Sequence, residues 1–129
     1  MGQSKIIDID IHDQYLIRHF DQIDSWWKIS VMFMEVGILG PLVEEFCFRF
    51  LLYRFLRERI WPLVAMIVSS VVFATMHFNL VAWLPLFAMG FVLVHSYEYF
   101  RSILVPMVIH GSFNMLVVCS LFYSYNFAK

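Results

Sequence analysis

The sequence predicts an all-α, polytopic membrane protein with about four transmembrane helices and an N-terminal amphipathic segment. Hydrophobic residues make up 61% of its 129 residues and charged residues 15%, whereas soluble domains average about 45–50% and about 25%. No Asp, Glu, Lys or Arg occurs between Ile60 and Tyr97, and because one span needs about 20 residues, this stretch holds two. The net charge of −1 provides no basic field, so nucleic acid is excluded as a partner.

Residues 1–28 are predicted to form an amphipathic arm. Apolar and polar side chains alternate from Lys5 to His12, which is typical of a short extended segment. Apolar residues then recur at three- and four-residue steps. This spacing predicts a helix in the membrane interface, with Trp26 and Trp27 anchoring its end. A helix that packs on the protein itself is the alternative.

Residues 29–129 are predicted to form the transmembrane core, which carries all the motifs. Arginines close the first helix and a proline begins the second, as expected at helix ends. The first helix is longer than a ~30 Å bilayer core requires, so it should tilt or project. Short connections make neighbouring helices antiparallel. The predicted helices cover residues 26–56, 61–77, 81–99 and 104–123.

Two adjacent carboxylates, Glu44 and Glu45, lie inside the first predicted helix. An ionisable side chain at membrane depth is by default a functional candidate whose partner must be named. Glu45 and Arg49 are four residues apart, in the order that favours an ion pair on a helix. This pairing leaves Glu44 on a different helix face, where a carboxylate in a low-dielectric site suits a general base.

The predicted helices bring three further polar side chains to the depth of Glu44. At about 1.5 Å per residue, Glu44 and His77 lie ~20 and ~25 Å from the turn that joins the first two helices. His110 and Asn114 lie ~12 and ~18 Å from the Arg101 turn on the same side of the membrane. They are also one helical turn apart, hence on one face. Polar side chains from three helices therefore approach one level.

These side chains suit the hydrolysis of a carbonyl substrate. Glu44 and His77 can polarise a water molecule. His110 and Asn114 can donate hydrogen bonds to the oxyanion that forms on the attacked carbonyl. The alternative is a zinc ion held by Glu44, His77 and His110, since two histidines and a carboxylate are zinc-type ligands. There is no H-E-x-x-H pair and Asn is a poor zinc ligand, so a site without a cofactor is predicted.

Three motifs resemble those of the CPBP (Abi) family, which comprises CAAX-type-II proteases and bacteriocin-processing enzymes. EEFCFR at 44–49 fits E-E-x-x-x-R, FATMH at 73–77 fits F-x-x-x-H, and HGSFN at 110–114 fits H-x-x-x-N. The resemblance implies a glutamate-dependent intramembrane endopeptidase that acts on a peptide or protein substrate. It also implies an integral, multi-pass protein of the bacterial cell membrane, with the lipid bilayer as its surroundings.

The resemblance implies a role for each motif residue. The first glutamate of the pair and the histidine of the second helix activate water. The histidine and asparagine of the fourth helix form the oxyanion site. The second glutamate and the arginine support the structure. The catalytic residues are thus Glu44, His77, His110 and Asn114, and the supporting residues are Glu45 and Arg49.

The sequence departs from the family pattern before the glutamate motif, where members usually carry additional transmembrane helices. Here there is one helix, which contains the motif itself, and the amphipathic arm before it. Three explanations are open: a minimal core, a homo-oligomer whose neighbours supply the missing wall, or a fragment. The alternative function is non-catalytic, that of a bacteriocin-immunity or membrane peptide-binding factor.

Overall fold

The computed structural model describes residues 25–127 and places them in four helices. The all-α prediction is confirmed for this part of the chain, whereas most of the predicted arm, residues 1–24, lies outside it. The first helix, α1, is continuous through alternating α and π turns, and α2 to α4 are regular. The parts of α1 are Trp26–Met34, Glu35–Leu39, Gly40–Glu45, Phe46–Tyr53 and Arg54–Arg57, and the later helices are α2 (Pro62–Met76), α3 (Trp83–Phe100) and α4 (Leu104–Phe127).

Length and composition identify one clear membrane span among the described residues. Leu104–Ser124 has 21 residues and a mean hydropathy of 1.8, while Pro62–Met76 is apolar but shorter. Residues 26–57 form the longest helix, at about 48 Å, but π turns and charged residues interrupt it. The structure therefore supports a helical protein with one clear span, and the polytopic arrangement is taken up as a proposal below.

Two π-helical segments of α1 connect it to its neighbours. π turns are rare and frequently occur at functional sites, because they change which backbone carbonyls remain open to other partners. The Val36 carbonyl in the first segment accepts a hydrogen bond from the Asn114 amide at 3.1 Å. The Phe48 carbonyl in the second accepts one from the Ser69 hydroxyl at 3.3 Å. These bonds join α1 to α4 and to α2.

Helices α1 and α4 meet backbone to backbone at Gly37 and Gly111. A Cβ atom on Gly111 would lie 2.2 Å from the Gly37 carbonyl oxygen, and one on Gly37 would lie 2.7 Å from Sδ of Met115. Small residues permit this close approach between membrane helices. His110 and Asn114 flank the contact on α4, so their position against α1 depends on it.

Replacing Gly111 with alanine should lower the free energy of unfolding by about 1–3 kcal/mol, because the added methyl group must push the two backbones apart. Denaturant unfolding in mixed micelles measures the change. Ser112→Ala is the matched control: Ser112 is the next residue and is exposed, so its replacement should cost no more than about 0.5 kcal/mol. Equal stability of the two variants would contradict the close contact.

The interior of the bundle is small and partly polar. One apolar cluster lies near the arginine-rich end of α1, and a second joins α1 to α4. Buried charged and polar side chains are present as well. Many large apolar side chains remain exposed on the outer helix faces, as expected of a surface that lipid covers. The two clusters contain Tyr53, Ala65, Met66 and Val94, and Met32 and Val118, and the buried polar residues of the site are Glu45, Arg49 and His110.

Candidate active site

Glu44 lies where two histidines converge. Its Oε2 atom is 3.8 Å from Nε2 of His77, which follows α2, and 3.7 Å from Nε2 of His110 in α4. Both distances are too long for a direct hydrogen bond and suit a water molecule that bridges the groups. Glu44 and His77 are partly exposed whereas His110 is buried. The cluster therefore borders the surface through other atoms of Glu44 and His77, while Oε2 of Glu44 is itself buried.

His77 is oriented by the other residue of its motif. Its Nδ1 atom is 2.7 Å from the carbonyl oxygen of Phe73. A carbonyl oxygen only accepts, so Nδ1 carries a hydrogen, and Nε2 offers a lone pair on the side of Glu44 when the ring is neutral. The two rings also pack together, with centroids 4.6 Å apart. The four-residue spacing of Phe73 and His77 thus sets both the tautomer and the orientation of the imidazole.

His110 is held by Glu45. Its Nδ1 atom is 2.8 Å from Oε1 of Glu45, whose Oε2 lies 2.8 Å from Nε of Arg49. A carboxylate oxygen that is paired with a guanidinium accepts hydrogen bonds, so Nδ1 of His110 is the donor. Nε2 can then donate to a substrate only when the ring is an imidazolium, and Glu45 is placed to provide its counter-charge. The predicted pair of Glu45 and Arg49 is present, but the contact with His110 is an addition to it.

Arg49 connects this polar cluster to the other helices. Its Nη2 atom donates to the Gly90 carbonyl of α3 at 3.3 Å, and its guanidinium lies 4.7 Å from the ring centroid of Phe73 in α2. Both Arg49 and Glu45 are fully buried. A buried ion pair adds little net stability, but losing one partner is expensive because a charge remains without compensation.

Asn114 is oriented by α1. Its Nδ2 atom donates to the Val36 carbonyl, which uses one of its two amide hydrogens and leaves the second for a substrate. Among the described hydrogen bonds, none joins Asn114 to Glu44, His77 or His110. The side chains of His77 and His110 therefore meet at Oε2 of Glu44, at 3.8 and 3.7 Å. Asn114 lies one turn after His110 on α4.

Glu35 is a third carboxylate of α1 and is not among the site residues predicted from the sequence. It lies within an apolar stretch, which is the signal that could have drawn attention to it. It is exposed and takes part in none of the contacts described above. It thus provides a comparison for Glu44 on the same helix.

The fit of a zinc ion can be judged from the side chains. In the part of the chain that the structure describes, no group of three or more His, Cys, Asp or Glu residues is arranged to hold a metal. Glu44, His77 and His110, the ligands named for the zinc alternative, do not form such a group, and the prediction of a site without a cofactor stays a prediction. No step of the mechanism below depends on a metal.

An open apolar cleft lies between α1 and α4, away from the polar cluster. Its volume is about 630 Å³, and Leu42, Gly111 and Met115 are among its lining residues. None of the four candidate catalytic residues lines it. The cleft is therefore a feature of the outer surface and not the candidate active site.

Comparison with known proteins identifies the family of this chain. Residues 25–116 match the family described as type II CAAX prenyl endopeptidase Rce1-like. The chain therefore belongs to this family. The family resemblance predicted from the three motifs is confirmed.

Curated relatives come from bacteria. The chain is 33% identical over 96 residues to the putative membrane peptidase YdiL of Bacillus subtilis, an alignment that covers 74% of the chain and 39% of the relative. It is 34% identical over 98 residues to the membrane-embedded CAAX protease MroQ of Staphylococcus aureus, covering 70% of the chain and 39% of the relative. No solved structure matches the chain. The aligned region spans about 39% of the length of these relatives.

Proposed function

We propose that this chain is an intramembrane endopeptidase of the bacterial cell membrane that hydrolyses a peptide bond near the membrane without a cofactor. The observation that carries the proposal is the convergence of Glu44 Oε2 with Nε2 of His77 and of His110, at 3.8 and 3.7 Å. Family membership supports peptidase chemistry. The names of the two relatives above, a putative membrane peptidase and a membrane-embedded CAAX protease, support a membrane setting and a CAAX-type substrate. A leader peptide is the alternative substrate that we propose.

In this mechanism Glu44 is the general base. A water molecule gives one proton to the Glu44 carboxylate while its other hydrogen bonds to the lone pair on Nε2 of His77, and its oxygen attacks the substrate carbonyl carbon. Negative charge develops on the carbonyl oxygen, to which Nε2 of His110 and Nδ2 of Asn114 donate. The proton on Glu44 then passes to the leaving amine as the C–N bond breaks. The carboxylate is thereby restored.

Water is the proposed nucleophile because two serine hydroxyls of α2 are already engaged in hydrogen bonds. Ser69 and Ser70 of α2 donate to backbone carbonyls at 3.3 and 2.7 Å. The two free cysteines, Cys47 and Cys119, are exposed on the outer helix faces and do not contact Glu44 in any described interaction. A covalent acyl intermediate therefore has no placed nucleophile among these residues.

We also propose that all four helices lie in the membrane, with both arginine-rich turns at one face. Arg54, Arg57, Arg59 and Arg101 lie at or beside these turns, and the positive-inside rule favours the cytoplasm for them. In this arrangement residues 1–28 form the interfacial arm and residues 29–129 the core. A homo-oligomer remains a proposal that the sedimentation of the purified protein tests.

Reconstitution tests the proposed activity. The purified chain in lipid vesicles is incubated with a prenylated CAAX peptide and with a leader peptide, and the fragments are identified by mass spectrometry. We expect one new amine and one new carboxylate terminus in at least one of the two peptides. A folded, helical protein that produces no fragment from either peptide would contradict the proposal.

A further inference from the structure

The connection between α2 and α3, residues 77–82, presents large apolar side chains outward. Phe78, Leu80 and Val81 are 88%, 91% and 81% exposed. We call this segment the apolar loop. The loop directly follows α2 and begins with His77. The position of the loop relative to the membrane therefore also bears on one side of the candidate active site.

The backbone of the apolar loop is strained at Phe78. Its φ of 53° lies in the left-handed region, where glycine or asparagine usually ends a helix and a bulky residue is a genuine outlier. The Phe78 ring is almost fully exposed, so packing within the described chain does not compensate for this conformation. Burial of the Phe78 ring in apolar surroundings other than the described residues would compensate for the strained conformation.

Some polar groups of the apolar loop are satisfied by the loop itself and by the last turn of α2. The backbone N–H of Phe78 donates to the Thr75 carbonyl at 3.1 Å, and that of Ala82 donates to Oδ1 of Asn79 at 2.9 Å. The indole N–H of Trp83 donates to the Thr75 hydroxyl at 3.2 Å. Non-helical backbone at membrane depth needs this kind of internal satisfaction, because hydrocarbon offers no hydrogen bonds.

Helix α2 is shorter than the hydrocarbon core of a bilayer is thick. Helix α2 has 15 residues and is about 22 Å long, whereas the hydrocarbon core is about 30 Å thick. It begins directly after the turn that carries Arg57, Glu58 and Arg59, which the proposed membrane arrangement puts at the headgroup level. A helix of this length that starts there ends before the opposite headgroups, even without tilt. The next charged residue after the turn is Glu98, at the far end of α3.

We propose that the apolar loop is inserted in the hydrocarbon of the bilayer, where lipid acyl chains cover Phe78, Leu80 and Val81. The connection between α2 and α3 then does not emerge into water at the second face. His77 approaches Glu44 from within the membrane. This inference rests on the proposed membrane arrangement of the four helices and does not depend on the proposed hydrolysis.

Site-specific fluorescence tests the position. In the full chain with Cys47→Ala and Cys119→Ala, Leu80→Cys is labelled with a small environment-sensitive fluorophore and reconstituted in vesicles. Leu80 is exposed, so the label should not disturb packing, and Val81→Cys repeats the measurement at a second position. Glu58→Cys, in the exposed charged turn, is the matched control. Spin-labelled acyl chains and a water-soluble paramagnetic quencher are then compared.

Insertion predicts that the label at position 80 emits further to the blue than the label at position 58. It also predicts several-fold stronger quenching of position 80 by acyl-chain spin labels, and several-fold weaker quenching by the aqueous agent. Strong aqueous quenching at positions 80 and 81 would overturn the proposal. Protection of both positions from both quenchers would overturn it too, because protein and not lipid would then cover the loop.

Discussion

Replacing Glu44 with glutamine is expected to reduce peptide cleavage by about 10³- to 10⁴-fold, the upper range for loss of a general base. Glutamine has nearly the same shape, so the contacts around it should persist while proton acceptance is lost. The rate is measured with reconstituted protein by following product formation. Because the base acts in the transition state, the loss should appear in kcat more than in KM.

Glu35→Gln is the matched control for this experiment. Glu35 is a carboxylate on the same helix that is exposed and outside the polar cluster, so the variant should cleave at the parent rate. A Glu44→Gln variant that keeps the parent rate would contradict the assignment of the base. If Glu44→Gln protects cells from a bacteriocin as well as the parent does, the function is non-catalytic binding or immunity.

Replacing Arg49 with methionine is expected to lower the free energy of unfolding by about 3–5 kcal/mol, because Glu45 is left buried without its counter-charge. The variant also loses the bond to the Gly90 carbonyl and the contact with the Phe73 ring. Unfolding in mixed micelles, followed by circular dichroism, measures the change. The effect should be the largest of any single arginine replacement in this chain.

Two further variants separate the buried charge from the loss of an arginine in general. Arg59→Met removes an exposed arginine and should cost less than about 1 kcal/mol. The double variant Glu45→Gln with Arg49→Met leaves no unpaired charge and should recover part of the lost stability. If the double variant is less stable than Arg49→Met alone, the ion pair does not have the role assigned to it.

Residue spacing and helix-end signals predicted much of the architecture from the sequence. The predicted helix at 104–123 begins where α4 begins, at Leu104, and the observed helix extends further, to Phe127. The ion pair of Glu45 and Arg49 follows from spacing along one helix. These features depend on neighbouring residues and on helix geometry, which a single sequence displays directly.

The contacts that assemble the site depend on how helices rotate against one another. Glu45 and His110 are 65 residues apart, and nothing in either motif indicates that they touch. The bond from Asn114 to Val36 requires a π turn, and no residue pattern in the sequence predicted one. Counting along helices gives depth in the membrane but not the direction in which a side chain points, so the positioning role of Glu45 was not predicted.

The second helix shows the same limit at its end. The predicted helix continues to His77 or Phe78, because the apolar pattern continues there, whereas the observed helix ends at Met76. The end is set by the left-handed conformation of Phe78, which residue preferences disfavour. The spacing of the F-x-x-x-H motif survives this difference, because Phe73 and His77 still contact each other.

The cleavage rate of the purified, reconstituted chain in the presence of a strong metal chelator tests the central claim most directly. A water molecule activated by Glu44 and His77 needs no metal, so the rate should stay at the level of the untreated protein. Abolition of cleavage by the chelator, with recovery on addition of zinc, would contradict the account and assign Glu44, His77 and His110 to a metal instead.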